Sequence, residues 1–321
     1  MAFAGLPLNN ACPVNPLIRL IPPALVRFFA RPYVAGDSLD QALSAADKLW
    51  RERQLLTTLD LLAEDIHKQE VADRNVATYL EMVDAVGAEG RFENGSMPTL
   101  SLKPSSYTTS PLDRGGDAAG SRKAIARIAE HARDKNVRLT VDMEGRSWTD
   151  FTLDLLEELH GAGHRHVGAV LQTRLNRTRD DLERLPPGIR VRLVIGIYDE
   201  PSSVAVRDKQ VMKQRMLDYA EILLRRGHFV EFATHDEPWV RRFVNEVVPA
   251  VGVDPDAYEL QMLFGVPRAK LLAEMRDRGI GARLYVPFAT SWAMAVEYLR
   301  RRLDEYPAMM GLVVKNLFLR R

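Results

Sequence analysis

Strand-like runs alternate with helical ones through most of this chain, and that alternation restricts the fold more than any other feature. The strand-like runs are Leu55–Leu62, Thr99–Lys103, Val137–Asp142, His166–Gln172, Arg190–Gly196, Phe229–Ala233, Tyr258–Leu263 and Arg283–Val286. Helical periodicity centred near Ile125, Leu155, Leu182, Met216, Phe243, Leu271 and Val296 fills the intervals, with a long helix from about Lys68 to Val86 after the first strand. A helix between successive strands lets neighbours run parallel, since the return crossover needs a dozen or more residues. Eight such units predict an α/β chain closed into a (β/α)8 TIM-type barrel, and pattern alone leaves an open doubly wound sheet as the alternative.

The N-terminal part differs. Pro13, Pro16, Pro22, Pro23 and Pro32 interrupt any long helical pattern over residues 1–36, which predicts an irregular arm. Asp37 and Ser38 can cap an extra helix that runs to about Arg53. The expected division is an N-terminal arm and helix over 1–54, then a barrel catalytic domain over 55–321 that includes a last helical segment from about Ala308 to Leu319.

Composition removes several function classes. The 44 basic and 43 acidic residues leave a net charge of +1, so no global field draws in nucleic acid. The single cysteine, Cys12, excludes an internal disulfide and any multi-cysteine metal site. No early basic cluster precedes an apolar run, and no apolar run approaches the roughly 20 residues of a membrane span, so a cytoplasmic protein is expected. The short apolar segments Leu25–Phe29 and Leu312–Leu319 leave room for transient contact at the inner face of a membrane, with ordinary packing as the plainer explanation.

In a barrel of this type the active site is built at the C-terminal ends of the strands. Those positions are polar here: Lys103, Asp142 with Glu144, Gln172, Tyr198, and His235 with Asp236. Each singly can be a helix cap, a surface charge or an amide that satisfies loop backbone, while their recurrence at one rim favours a site. In the last unit, Ser291 can cap a helix from Trp292 to Tyr306, and Tyr298 lies three residues before Arg301 and four before Arg302. On spacing alone, Arg300, Arg301 and Arg302 make a solvated helix face. A paired arginine near a strand end can instead clamp a carboxylate, because the guanidinium fork donates two parallel hydrogen bonds.

The ordered set of strand ends resembles a known family. T-L-D at 58–60, S-L-K-P at 101–104, V-D-M-E at 141–144, V-L-Q at 170–172, R-L-V-x-G-x-Y at 192–198, A-T-H-D at 233–236 and Y-E-L-Q-M-L-F-G at 258–265 are similar to successive strands of the monofunctional, flavin-dependent proline dehydrogenases. Y-x-P at 285–287 and Y-L-x-R-R-L at 298–303 match the last strand and helix. The final motif is the most specific, and the order of the set is more specific than any one part.

This resemblance implies FAD as cofactor and L-proline as substrate, oxidised to 1-pyrroline-5-carboxylate by hydride transfer from C5 to flavin N5. It also implies a quinone electron acceptor and a separate pyrroline-5-carboxylate dehydrogenase downstream. Position by position, it places the substrate carboxylate on Arg301 and Arg302 with Lys103 as a third positive charge. Tyr285, Tyr298 and Leu263 then surround the pyrrolidine ring, with Asp142 and Tyr198 beside it. Gln172, Arg192, Val194, Thr234 and His235 match flavin-contacting positions, and Glu305 matches one near the ribose and adenine end. A smaller residue in place of Tyr298 marks hydroxyproline-oxidising relatives, so the tyrosine implies proline.

Departures accompany the match. Where the family's fifth strand has V-K-G-A-Y, Ile195 and Ile197 replace the lysine and the alanine. Arg174 stands where an aromatic is common, and Ala289 where a glycine usually follows the eighth-strand proline. Two other readings stay open from the residues themselves. Lys103 can form an imine, or Asp142, Glu144, His235 and Asp236 can gather a divalent ion, as in a barrel lyase. A non-enzymatic scaffold predicts rim residues that do not converge.

Overall fold

The computed structural model describes residues 22, 32–64, 66–88, 90–92, 95–293 and 295–296. Tyr298, Arg301, Arg302 and Glu305, most of the proline-rich arm, and the segment from Ala308 to Leu319 lie outside the described residues. Leu25–Phe29 lies outside them too.

Eight parallel strands close into a barrel in sequence order, each paired with the next and the last with the first. They are β1 (Leu56–Leu61), β2 (Thr99–Leu102), β3 (Leu139–Val141), β4 (Val167–Gln172), β5 (Arg190–Val194), β6 (Phe229–Ala233), β7 (Tyr258–Leu263) and β8 (Gly281–Phe288). The helices in chain order are α1 (Leu39–Arg53), α2 (Gln69–Val86), α3 (Ser121–Asp134), α4 (Thr149–Gly161), α5 (Thr178–Asp181), α6 (Lys209–Arg225), α7 (Glu237–Arg242), α8 (Val248–Val251) and α9 (Ala269–Asp277). The closed barrel is the architecture that the alternation favoured over an open sheet. None of the helices among the described residues is long and apolar enough to cross a membrane.

Side chains on a strand alternate between faces, and here the alternation separates two chemistries. Leu59, Leu100, Leu139, Val141, Leu171, Val191, Leu193, Val230, Phe232, Leu260 and Val286 are fully buried in one apolar cluster with Ile125, Leu156, Met216 and Leu223 of the surrounding helices. The opposite face carries Thr58, Asp60, Ser101, Thr140, Gln172, Arg192, Glu231, Glu259, Gln261 and Arg283, which are also buried. Two of them reach across strands that are not neighbours, Arg192 of β5 to Asp142 past β3 and Arg283 of β8 to Thr99 of β2, so this face lines the barrel interior. Arg192 on β5 donates to Asp142 just past β3 at 2.8 Å, and Arg283 on β8 meets Glu259 on β7 through two bonds of 2.5 and 3.1 Å. Buried charge is tolerable only when paired, and Arg190 with Glu231 at 2.5 Å continues the pattern.

Local chemistry explains where elements begin and end. Ser38 caps α1 by accepting the Gln41 N–H at 3.3 Å, and Gln54 closes it in the left-handed conformation. The helix expected near Leu182 is broken: α5 gives way to a 3-10 turn at Leu182–Arg184, and Leu185 is extended ahead of Pro186. The helix expected near Phe243 is split by a π turn at Phe243–Val247, just before Pro249, which has no N–H to bond four residues back and is accommodated in the first turn of α8.

β8 runs past the end expected at Val286. Pro287 pairs in register with Asp60, and Phe288 continues the ladder. The Pro287 carbonyl accepts the Ala35 N–H at 2.8 Å, while the Phe288 carbonyl accepts the Leu62 N–H at 2.8 Å, so the two residues face opposite edges. Pro287 therefore faces the edge beyond the last β7 pair, Leu263 with Tyr285, where no ladder donor is required. After the strand, the Ala295 N–H donates to the Ser291 carbonyl at 3.2 Å, the first turn of the helix expected there.

Candidate active site

The C-terminal mouth of the barrel holds a connected polar cluster made from five strands. Lys103, immediately after β2, pairs with Asp60 of β1, and its Nζ donates to the Tyr285 hydroxyl at 3.2 Å and lies 3.4 Å from Asp142 Oδ2. Asp142 is the hub. Its Oδ1 accepts from Ser101 at 2.6 Å and from Arg192 at 2.8 Å, and its Oδ2 accepts the Tyr285 hydroxyl at 2.8 Å. The Arg192 guanidinium also lies 5.0 Å from the centre of the Tyr285 ring, within cation–π range.

Burial makes the charges in this cluster interdependent. For Asp142 burial alone would raise the pKa, but Lys103 and Arg192 outweigh it and hold the carboxyl below its ordinary value. Asp60 shows the reverse balance: burial outweighs Lys103 and pushes its pKa up to about 6. Burial works against a charged Lys103, yet Asp60, Tyr285 and Asp142 raise its pKa well above the usual value. Tyr285 is pushed well above a free phenol, by burial first and then by Asp142 and Asp60, so it stays a neutral donor.

A second shell of contacts fixes the loops that carry these groups. Glu144 accepts from Ser105 twice, from the backbone N–H at 2.8 Å and from the hydroxyl at 2.5 Å, which ties the end of β3 to the turn after Lys103. Burial raises the Glu144 carboxyl to about 8 against the pull of those two bonds. Gln172 donates to the Glu144 carbonyl at 2.7 Å. Gly196 has φ +93°, and a Cβ there would stand 2.4 Å from Gln172 Oε1, so the bare backbone passes against that amide.

Several buried polar atoms at this rim have no hydrogen-bond partner among the described residues: Arg192 Nε and Nη2, Gln172 Oε1, Arg174 Nε and His235 Nδ1. His235 is neutral, since burial and then the nearby Arg268 lower its pKa to about 4. Recurring orphans at one mouth point to a polar group that completes them.

The structure brings Lys103, Asp142, Arg192 and Tyr285 into direct contact, with Gln172 adjoining through Glu144. Val194 ends β5 and is half-buried, Thr234 and His235 follow β6 and are half-buried, and Leu263 ends β7 with 45% of its surface exposed. Tyr198 lies past β5 against the 145 turn, its ring Cδ1 3.9 Å from a Cβ built on Gly145. Asp60 and Ser101 were missed as site residues. The signal was there: each sits two residues from another inward-facing position, Asp60 from Thr58 and Ser101 from Lys103, and period two puts such pairs on one face.

The lyase alternatives lose their footing in this geometry. An imine-forming lysine needs a lowered pKa, and that of Lys103 is raised. Asp142, Glu144 and Asp236 bond to different donors, Arg192, Ser105 and Lys213 respectively. Among the described residues, no three His, Cys, Asp or Glu side chains are gathered where one metal ion could bind them. His160 and His166 bond to the carbonyls of Val167 and Ala129 at 2.7 and 2.9 Å, which are structural roles.

Comparison with known proteins gives the family. A family model described as Proline dehydrogenase matches residues 42–198. The Proline dehydrogenase of Deinococcus radiodurans is 32% identical over 295 residues, covering 90% of this chain and 89% of that protein. Proline dehydrogenase 1 of Bacillus subtilis is 29% identical over 294 residues, covering 91% of each. Among solved structures, proline utilization A from Bdellovibrio bacteriovorus, inactivated by N-propargylglycine, superposes with a TM-score of 0.75 at 21% identity. That match covers 86% of this chain and 32% of the other, and carries the fold alone. The 32% identity to the Deinococcus radiodurans protein, over about nine-tenths of both chains, establishes that the chain belongs to the proline dehydrogenase family.

Proposed function

We propose that this chain oxidises L-proline to 1-pyrroline-5-carboxylate with FAD as its resident cofactor, passing electrons to a quinone. Membership of the family makes it an oxidoreductase acting on proline. The observation that carries the reading to particular residues is the hydrogen-bonded set Lys103, Asp142, Arg192 and Tyr285 at the barrel mouth.

The residues present fit a flavin. Orphaned buried atoms of Gln172, Arg192 and His235 supply donors and acceptors, and the bare backbone of Gly196 lets the Gln172 amide pack at this rim. Gln172, Arg192, Val194, Thr234 and His235 would hold the cofactor, with Glu305 at its far end. FAD supplies the two-electron acceptor for the substrate's C5 hydrogen. The chain's own residues orient and select. Arg301 and Arg302, together with Lys103, hold the carboxylate, while Tyr285, Tyr298, Leu263 and Tyr198 surround the ring. Asp142, kept ionised between two cations, fixes the Tyr285 hydroxyl and the Arg192 fork in one geometry. Arg192 would supply a preorganised positive charge to the bound flavin.

Delivery of electrons to a quinone places the working protein in the cytoplasm with transient contact at the inner face of the membrane. The imine product leaves for a separate pyrroline-5-carboxylate dehydrogenase. The direct test is identification of the cofactor released by acid from the purified protein, together with turnover of L-proline using a soluble quinone analogue. FAD and a trapped cyclic imine product are expected. Faster turnover of hydroxyproline than of proline would reassign the substrate.

A further inference from the structure

The turn after β4 carries a cation with no role in the proline site. Thr173 faces α6, where its hydroxyl donates to the Met212 carbonyl at 2.8 Å. Gln172 and Arg174, on either side of it, both approach Gly196 instead: a Cβ built on that glycine would stand 2.4 Å from Gln172 Oε1 and 3.2 Å from Arg174 Cδ. The backbone of Arg174 is fixed on both sides. Its N–H donates to the Ile195 carbonyl at 3.1 Å, its carbonyl accepts the Val206 N–H at 2.8 Å, and Leu175 pairs antiparallel with Ala205.

The side chain, by contrast, is uncompensated. Arg174 Nε is shielded from solvent without a hydrogen-bond partner, and no carboxylate among the described residues pairs with this guanidinium. A half-buried permanent cation without a counter-charge is costly in the free protein and favourable once an anion arrives. Arg192 already supplies a guanidinium inside the barrel, next to Asp142. Arg174 lies further out along the same rim, half exposed, where a hydrated and doubly charged group is accommodated more readily than a flat apolar ring.

We propose that Arg174 binds the diphosphate of FAD, its planar fork gripping phosphate oxygens beside the bare backbone of Gly196. This rests on the flavin reading above and adds a residue that fixes which flavin the site takes: one carrying a diphosphate in preference to bare riboflavin.

The test is a fluorescence titration of the deflavinated full-length protein with FAD and with riboflavin, in the wild type, Arg174→Gln and Arg174→Lys. Arg174→Gln is expected to weaken FAD about ten- to a hundredfold, the loss of one or two charge-assisted hydrogen bonds, and to leave riboflavin within about twofold. Raised salt should weaken FAD binding to the wild type more than to Arg174→Gln, and Arg174→Lys should recover part of the loss. Riboflavin binding serves as the control for folding. Equal loss of FAD and riboflavin, or an unchanged FAD affinity in Arg174→Gln, would overturn the proposal while leaving the cofactor reading intact. A wild type that binds neither flavin would overturn the cofactor reading itself.

Discussion

Asp142 accepts four hydrogen bonds or ion-pair contacts, from Ser101 and Lys103 of the second strand unit, Arg192 of the fifth and Tyr285 of the eighth. Tyr285→Phe keeps the ring and removes the hydroxyl that donates to Asp142 and accepts from Lys103. Loss of two buried hydrogen bonds predicts a stability decrease of about 1–3 kcal/mol in denaturant unfolding. An unchanged midpoint would show that the phenol is not held in this network. Glu144 gives a pH signature. Its folded-state pKa is raised from 4.5 to about 8, so the folded protein retains a proton that the unfolded chain has released. That contribution to stability is complete below the unfolded value and is lost as pH rises through the folded one. Glu144→Gln should therefore flatten the fall in unfolding midpoint between about pH 5 and about pH 8. A wild-type slope in the variant would assign the titration elsewhere. At this scale the sequence disclosed the residues at strand ends, Lys103, Asp142 and Gln172 among them, because polar groups at apolar strand ends stand out, while Tyr285 was pointed to only by the family resemblance. Asp60 was hidden in LTTLDL, where a single aspartate resembles a turn or cap residue until the strand's register is known.

Elements were legible where periodicity was long and caps were clear. α1 begins at the capping serine, α2 ends at Val86, and β6 and β7 match their expected bounds. The failures have local causes. Pro287 has a carbonyl that serves a neighbouring segment on one edge and needs no N–H there, which sequence cannot disclose without the partner. The π turn before Pro249 is a compromise between a continuing helix and a missing donor. Gly196 is the sharpest case of backbone dictating residue. Gly196→Ala places a methyl against Gln172 Oε1 at a φ that L-residues rarely adopt, so a loss of about 1–3 kcal/mol and a weakened flavin complex are expected. Thermal unfolding of the flavin-free and flavin-bound forms checks both, and a variant as stable as the wild type in each would contradict the close approach.

The whole barrel is unusual in placing charge at its centre and hydrocarbon around it. The interior ion pairs are buried and tied to further strands, as when Arg283 also donates to the Thr57 carbonyl of β1, so removing one partner affects more than one strand. Arg283→Met leaves Glu259 buried without its bidentate partner, and an unfolding cost of about 3–5 kcal/mol is predicted. A cost below about 1 kcal/mol in the same denaturant series would mean that water reaches this layer. The alternation of strand and helix disclosed the closed sheet, but composition could not show which face of each strand was polar, since both faces are buried. Among the described residues, Lys103, Asp142, Arg192 and Tyr285 of the family's motifs meet at the mouth that this architecture creates, and the account stands or falls on what happens there. The decisive measurement is the anaerobic absorbance spectrum of the FAD-loaded protein before and after L-proline. Bleaching of the oxidised flavin band by L-proline but not D-proline, abolished in Arg301→Met with Arg302→Met, is predicted. An unchanged spectrum of a protein that has bound FAD would contradict the proposed reaction and leave only the barrel and its cofactor.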